Sequence, residues 1–471
     1  MRYLIIMTLL IAGCTVAPQY TPPAPDVPCD WQGEVGCSMQ RLDPDDLTWW
    51  KNFQDPLLNQ LIEYAANQNL DLAMASMRVL QARLEAKGKK ADLFPHIDGS
   101  AACGHANLPK GFVKGLKRSV NFYEVGFDAD WEIDLFGMTA HEIKALLAQE
   151  EAAQENLNGV WVTLSAEIAK NYIELRGLQT RLQLIQTHMY MQKESLGRLH
   201  ELSERGINSE IDLNNAQAEL HSLEAEEPLI QLNISQTIHR LSVLLGYPPG
   251  DLADCLRPVN PLPQVPCEQA VGYPSDLLRR RPDIRKAERE LAAATERVGS
   301  AIAALFPRFS LRGFIGDISA HAGHLFSPKS ATSLVGPQLL VPIFNSRLLL
   351  QDVQYNKIAT QNALYNYQKT VLEALEEAEN SIAAFRSEEE RLAKLQASLE
   401  SFQKASAFSQ QLYERGVYNY HDVVVAEKNS INAQTSLIQS QVDLLLHYVA
   451  LYKALGGSWE DCSESCANPA S

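Results

Sequence analysis

Residues 121–135 read NFYEVGFDADWEIDL, and from Tyr123 onward the side chains alternate strictly. One set is Tyr123, Val125, Phe127, Ala129, Trp131, Ile133 and Leu135; the other is Glu124, Gly126, Asp128, Asp130, Glu132 and Asp134. Successive side chains of a strand point to opposite faces, so the pattern predicts a strand with one apolar and one acidic face. On a membrane barrel the apolar set faces lipid, and Glu124, Asp128, Asp130, Glu132 and Asp134 form an acidic lumen face. The competing reading is a half-buried hairpin on a soluble coiled-coil protein.

Outward from this strand the chain repeats itself. Leu93-Phe94-Pro95 recurs as Leu305-Phe306-Pro307, and Val125-Gly126 as Val335-Gly336. Glu204-Arg205-Gly206 recurs as Glu414-Arg415-Gly416, Asp212 as Asp422, and Leu245-Gly246 as Leu455-Gly456. The order is kept and the offset is nearly constant, which marks a tandem duplication joined by a Pro-rich stretch. The expected organisation is a signal peptide at 1–13, an extended segment at 14–48 and a first repeat at 49–246. A linker at 247–273, a second repeat at 274–456 and a tail at 457–471 complete it.

Each repeat reads as helix, strand, strand, long helix, sharp turn, helix. Residues 56–92 are helical until Pro95, and a first strand covers 96–105. The second repeat supplies strands at 309–317 and 332–344, the latter with Val335, Leu339, Val341 and Ile343 on one face. Pro337 is awkward there, because it cannot donate to a strand ladder. No proline interrupts 138–204 or 347–414. At about 1.5 Å per residue such helices reach about 100 Å, too long for the interior of a compact domain. Ile431, Thr435, Ile438, Val442, Leu445, Val449 and Tyr452 alternate spacings of four and three, the seam of a coiled coil. Pro228 is expected to kink the matching helix of the first repeat.

Four strands cannot close a barrel, and a lipid-facing sheet cannot keep open edges. Copies of the chain must therefore pool strands. Two would give a barrel filled by its own side chains, whereas three give twelve strands and a channel. The fold class expected is mainly α with a small β part: a trimeric twelve-stranded outer-membrane β-barrel continued by a long periplasmic coiled-coil α-barrel.

The N-terminus sets the compartment. Arg2 and the short apolar run 3–12 form a signal peptide, too short to span a bilayer. It ends in Ile11-Ala12-Gly13-Cys14, which resembles a bacterial lipobox and makes Cys14 the lipidated residue. Thr15 rather than Asp follows, and the resemblance implies outer-membrane sorting. Of the other cysteines, 29/37, 255/267 and 462/466 are close enough for local staples, with Cys103 left over; cross-pairing stays open.

The net charge of −16 argues against nucleic acid and anionic membrane surfaces as partners. No Walker loop, GxSxG, HExxH or CxxC occurs, so nothing points to an enzyme, a metal or a cofactor. His321-x-x-His324 has a ligand-like spacing but falls in a loop between strands. Glu388-Glu389-Glu390 reads as solvated helix surface, and Arg279-Arg280-Arg281 as arginines paired with nearby carboxylates.

Several stretches resemble the TolC-like outer-membrane efflux lipoproteins. They are Trp49-Trp50 with Phe53, Asp55-Pro56-Leu57 and Leu61-Ile62, and above all LRRRPDIRKAE from Leu278 to Glu288. Asp134-Leu135-Phe136-Gly137, Gly336-Pro337-Gln338-Leu339 and Pro342-Ile343-Phe344 match the family's strand-to-helix corners. The resemblance spans essentially the whole chain after the signal peptide. It implies a homotrimer that docks onto a periplasmic adaptor protein and an inner-membrane pump of the resistance-nodulation-division type.

At the turns, glycine after a helix C-terminus favours reversal, and Ser209-x-x-Asp212 and Asn419-x-x-Asp422 resemble capping boxes. The resemblance adds that Arg205, Gly206, Arg415 and Gly416 face the adaptor and that Asp212 and Asp422 ring a periplasmic gate. The family's second acidic position is occupied here by Asn215 and Val425, with Glu427 a candidate substitute. The function expected is passive export of small molecules. The alternatives are type I protein secretion, metal-ion export, and a lipid-anchored envelope spacer with no pore.

Overall fold

The computed structural model describes residues 20–25, 27–32, 39–40, 48–107, 119–205, 209–265, 269–270 and 273–457. The signal peptide, Cys14, Gly206, most of the C-terminal tail, Cys37, Cys267, Cys462 and Cys466 lie outside them. The chain divides into two compact units. One comprises Met1–Pro25, Met77–Gln154 and Lys286–Lys369; the other comprises Asp26–Ser76, Glu155–Arg285 and Thr370–Ser471.

The main elements in chain order are α1 (Pro56–Gln68), α2 (Leu70–Ala91), β1 (His96–Asn107), β2 (Ser119–Ile133), α3 (Met138–Glu204) and α4 (Glu210–Leu244). The second repeat follows with α5 (Pro282–Ala303), β3 (Arg308–Ser319), β4 (Ala331–Leu340), α6 (Ser346–Glu414) and α7 (Tyr420–Ala454). The helices α3 and α6 run for 67 and 69 residues, about 100 Å each. Pro228 lies inside α4, which continues through it to Leu244.

In the first unit the four strands form one antiparallel sheet in the order β1-β2-β3-β4. The repeats meet at its centre, where Gly126 of β2 faces Gly316 of β3. Gly126 is obligatory: a Cβ there would lie 2.6 Å from the Phe314 ring, which covers both glycines. β4 ends at Leu340 rather than near Phe344, because Pro342 cannot continue the ladder. Pro337 lies opposite Leu311 on the outermost strand of the chain's four-stranded sheet. Beside the sheet, Tyr20 packs on Ala148, Ala292 and Ala293, and His141 Nδ1 lies 2.6 Å from Glu296.

The second unit is held by an aromatic core. Trp49 stacks on Tyr452 at 6.0 Å, Trp50 meets Trp161 edge-on at 6.0 Å, and Phe53 packs against Tyr448 at 5.1 Å. Six aromatic side chains thus fix the segment before α1 to α3 and α7. Asp55 caps α1, accepting from the amides of Leu57 and Leu58, and Pro56 occupies the first helical turn, where no donor is needed. The guanidinium of Arg176 is fully buried. It donates to Gln179 at 2.7 Å and to the Pro258 carbonyl at 2.8 Å, pinning the stretch between the repeats to α3.

The duplication appears as matched joints in this unit. Asn69, before α2, donates to the Leu244 carbonyl at the end of α4, 2.8 Å away. Arg281, before α5, donates to the Ala454 carbonyl at the end of α7, also at 2.8 Å. Arg281 reaches farther as well, to Asp283 at 2.7 Å and Glu377 at 2.8 Å. The expectation that the arginine run pairs with carboxylates therefore holds for Arg281. Along α7 the seam residues Val442, Leu445, Val449 and Tyr452 are buried, whereas Ile431, Thr435 and Ile438 are half-buried. Cys29, Cys103 and Cys255 are free and exposed, and Cys37 and Cys267, the expected partners of Cys29 and Cys255, lie outside the described residues.

Candidate functional site: a two-faced sheet and a helical tip

Antiparallel register puts directly opposed residues on the same face, so the two faces of the sheet can be read row by row. One face carries Ile97-Ala129-Gly313-Val335 and Gly99-Phe127-Ile315-Ser333. Ile97, Phe127, Ile315 and Val335 are each more than half exposed, the largest at 72%. That is a broad apolar surface presented outward. The opposite face carries Asp98-Asp128-Phe314-Leu334 and His96-Asp130-Arg312-Gly336, with Glu124 and Glu132 in neighbouring rows.

The acidic set expected from β2 is thus brought onto one face, with two differences. Asp134 lies beyond the strand, and its carboxylate accepts from the Ala140 amide at 2.7 Å, capping the start of α3 instead of facing along the sheet. The face is also not purely acidic. Arg308 forks onto Glu132 through two bonds of 2.7 and 2.6 Å, and Arg312 donates to Asp130 at 3.1 Å. Both arginines come from the second repeat. They stand at even positions of β3, Arg308, Ser310 and Arg312, of which the first precedes the strand expected at 309–317.

In the second unit the ends of α3 and α6 turn back into α4 and α7. Gly416 has φ +73°, and two bonds close the helix end: Gly416 to the Tyr413 carbonyl and Val417 to the Leu412 carbonyl. This is the left-handed termination that glycine permits at least cost. Arg205 and Arg415 are exposed at these ends. Ser209 caps α4 through its Oγ, 3.1 Å from the Ile211 amide, and Asp422 accepts from the Asn419 amide at 3.3 Å. The two acids differ in setting, Asp212 being half-buried and Asp422 exposed.

Behind the turns, Leu199, Ala216 and Tyr420 form a small core packed by Leu196, Leu213, Tyr413 and Val424. Burial, then the charge of Glu427, pushes the Tyr420 phenol up to about 12; Gln192 acts the other way, and Asp212 adds a smaller upward push. Burial alone raises the Glu427 carboxyl above its ordinary value. Glu427 lines a cavity of about 170 Å³ with His188, Gln192, Glu219 and Lys428, and Lys428 pairs with Glu219 at 3.0 Å. Sequence reasoning named Glu427 but missed Tyr420 and this ion pair, which join helices distant in the chain. The rings of His321 and His324 meet edge-on at 5.8 Å. Among the described residues no cluster of three or more potential metal ligands occurs.

A four-stranded sheet with an apolar and a charged face, fused to helices of this length, defines the class of outer-membrane channels. The chain belongs to the outer membrane efflux protein family, whose profile matches residues 61–247 and 273–457. It is 31% identical over 458 residues to the solvent efflux pump outer membrane protein SrpC of Pseudomonas putida, covering 96% of this chain and 97% of that one. It is 30% identical to the toluene efflux pump outer membrane protein TtgC of the same species, covering 97% and 95%. Among solved structures, the outer-membrane channel OprN superposes with a TM-score of 0.88 at 33% identity, covering 95% of this chain and 100% of that one. The open state of the Neisseria gonorrhoeae MtrE outer membrane channel gives 0.82 at 25% identity, covering 95% and 99%. The protein is an efflux protein of the outer membrane with the fold of those channels.

Proposed function

We propose that three copies of the chain pool their sheets into a closed twelve-stranded barrel and form the outer-membrane exit duct of a tripartite efflux pump. The observation that carries this is the sheet itself: four strands, two unpaired edges and an exposed apolar face, tolerable in lipid only once sister chains close the ring. Two exposed heptad stripes support a second copy as neighbour. They are Leu70, Met77 and Leu84 on α2, and Ile358, Tyr365 and Leu372 on α6. Lipidated Cys14 adds an anchor to the barrel. The turns at Arg205-Gly206 and Arg415-Gly416 dock the periplasmic adaptor, and Asp212 and Asp422 ring the closed mouth, with an inner-membrane pump beyond. The organisation is signal peptide (1–13), extended segment (14–48), repeats (49–246 and 274–456), linker (247–273) and tail (457–471).

The duct acts by conducting solutes and performs no chemistry on them. The names of the relatives, solvent and toluene efflux pump proteins, favour small apolar toxic compounds as cargo over secreted proteins or metal ions. The test is the full-length protein extracted in mild detergent. Light scattering is expected to give three protomer masses, and planar bilayers to show discrete conductance steps. A folded monomer that shields its sheet and conducts nothing would return the chain to the spacer reading.

A further inference from the structure

The ion pairs on the charged face of the sheet serve no evident folding purpose. Exposed pairs of this kind contribute about 0–1 kcal/mol each, and the sheet is already set by its backbone ladders and by Phe314 over Gly126 and Gly316. Yet the arrangement is specific. Arg312 stands directly opposite Asp130 in register, and Arg308 reaches diagonally to Glu132 with a two-bond fork. Both acids come from the first repeat and both bases from the second, so the duplication has diverged to place opposite charges where its halves meet. The pairs lie at the end of the sheet next to α3 and α5, where β2 ends and β3 begins.

We infer that Arg308 and Arg312 form a charge-balancing collar in the duct wall, which admits uncharged and zwitterionic solutes and anions where an all-acidic ring would select for cations. This rests on the pooled-barrel reading, in which the polar face lines the lumen because the opposite face is the apolar one. Three copies contribute six arginines to this end of the duct, in two rows four residues apart along β3. Rings of unneutralised carboxylates make a pore cation-selective, and cations held at that level cancel the effect. Farther along the same face, Asp98 and Asp128 oppose each other directly and Glu124 faces Ile318, so the carboxylates there remain to attract cations once the collar is removed.

The experiment is the reversal potential of the full-length channel in planar bilayers under a potassium chloride gradient. R308Q/R312Q is expected to raise the potassium-to-chloride permeability ratio about threefold, and D130N/E132Q to lower it by a similar factor. The opposed directions separate the collar from misfolding, which would shift both variants alike or abolish both conductances. Unchanged ratios in both variants, or shifts of the same sign, would overturn the collar while leaving the channel intact. Wild-type protein without conductance would instead remove the pore itself, and the collar with it.

Discussion

Arg281 holds the main-chain carbonyl of Ala454 at 2.8 Å, closing the end of α7 with a side chain that precedes α5. The same guanidinium binds Asp283 and Glu377, so one buried residue ties together three segments of the second unit. Its counterpart in the first repeat, Asn69, makes only the carbonyl contact and caps α2 through the Leu72 amide.

Removing Arg281 therefore strands a helix-end carbonyl and two carboxylates, although Asp283 and Glu377 are each more than a third exposed and keep part of their hydration. Arg281→Ala is expected to destabilise the helical unit by about 2–3 kcal/mol, the range for charge-assisted bonds. Arg281→Lys, which cannot form the fork, should fall in between. Thermal melts of the purified protein followed by circular dichroism check the ranking; equal midpoints for wild type and Arg281→Ala would make the signature motif dispensable to the fold.

Two glycines of like backbone angle give unequal forecasts. Gly246 has φ +79° and a Cβ there would lie 2.6 Å from the Gln68 carbonyl, whereas Gly416 has φ +73° and nothing within 4 Å. Gly416→Ala is expected to cost only the left-handed penalty, about 1 kcal/mol. Gly246→Ala must also push α4 off the joint with α1, and should lose at least twice as much. Urea titrations of both variants compare them; similar losses would mean that the close approach is readily relaxed.

Much of this architecture was legible because it is written in local periodicity. The alternation of 123–133, the proline-free stretches that became α3 and α6, and the Arg415-Gly416 turn each fix an element by themselves. What escaped was set by pairing between repeats. Arg308 and Arg312 look like isolated bases until the register places them across from Glu132 and Asp130. Asp134 continues the acidic rhythm yet leaves the strand, because the amide of Ala140 in the first turn of α3 offers it a stronger partner. The roles of Tyr420 and of the Lys428–Glu219 pair depend on helices folding back over the tip, which no spacing along one helix reveals.

Glu427 makes the tip sensitive to pH, and the sign follows from its setting. Burial raises its carboxyl above the ordinary value, so the packed tip favours the protonated form. The cost of ionising it is absent below the ordinary carboxyl pKa, grows as pH climbs toward the raised value, and is full above it. Acidification should therefore tighten α7 against α3 and α4. Hydrogen exchange along residues 420–431, corrected for intrinsic rates, is expected to slow from pH 7.5 to pH 5 in the wild type and to change less in Glu427→Gln. His188, Glu219 and Lys428 line the same cavity and Tyr420 and Asp212 lie close by, and all stay in place in that variant. Any residual slope belongs to them. Wild-type exchange that quickens on acidification would rule out the carboxyl as the cause.

In the proposed duct, Asp212 and Asp422 are expected to act unequally as gate carboxylates. Asp422 is exposed and folds back onto the Asn419 amide, so its substitution removes a cap as well as a charge. Loss of a cap costs about 1 kcal/mol and frays the first turn of α7. Asp212 is half-buried beside Tyr420, and the cap on α4 comes from Ser209 Oγ, which accepts from the Ile211 amide. Asp212→Ala should therefore change conductance with little effect on stability, whereas Asp422→Ala should change both. In the proposed duct the two carboxylates anchor the closed mouth through bonds to the surrounding helices, so the double variant should conduct several-fold more than wild type. Single-channel recordings paired with thermal melts separate the two contributions. A double variant that conducts no more than wild type, with unaltered melting, would show that neither aspartate holds the mouth shut.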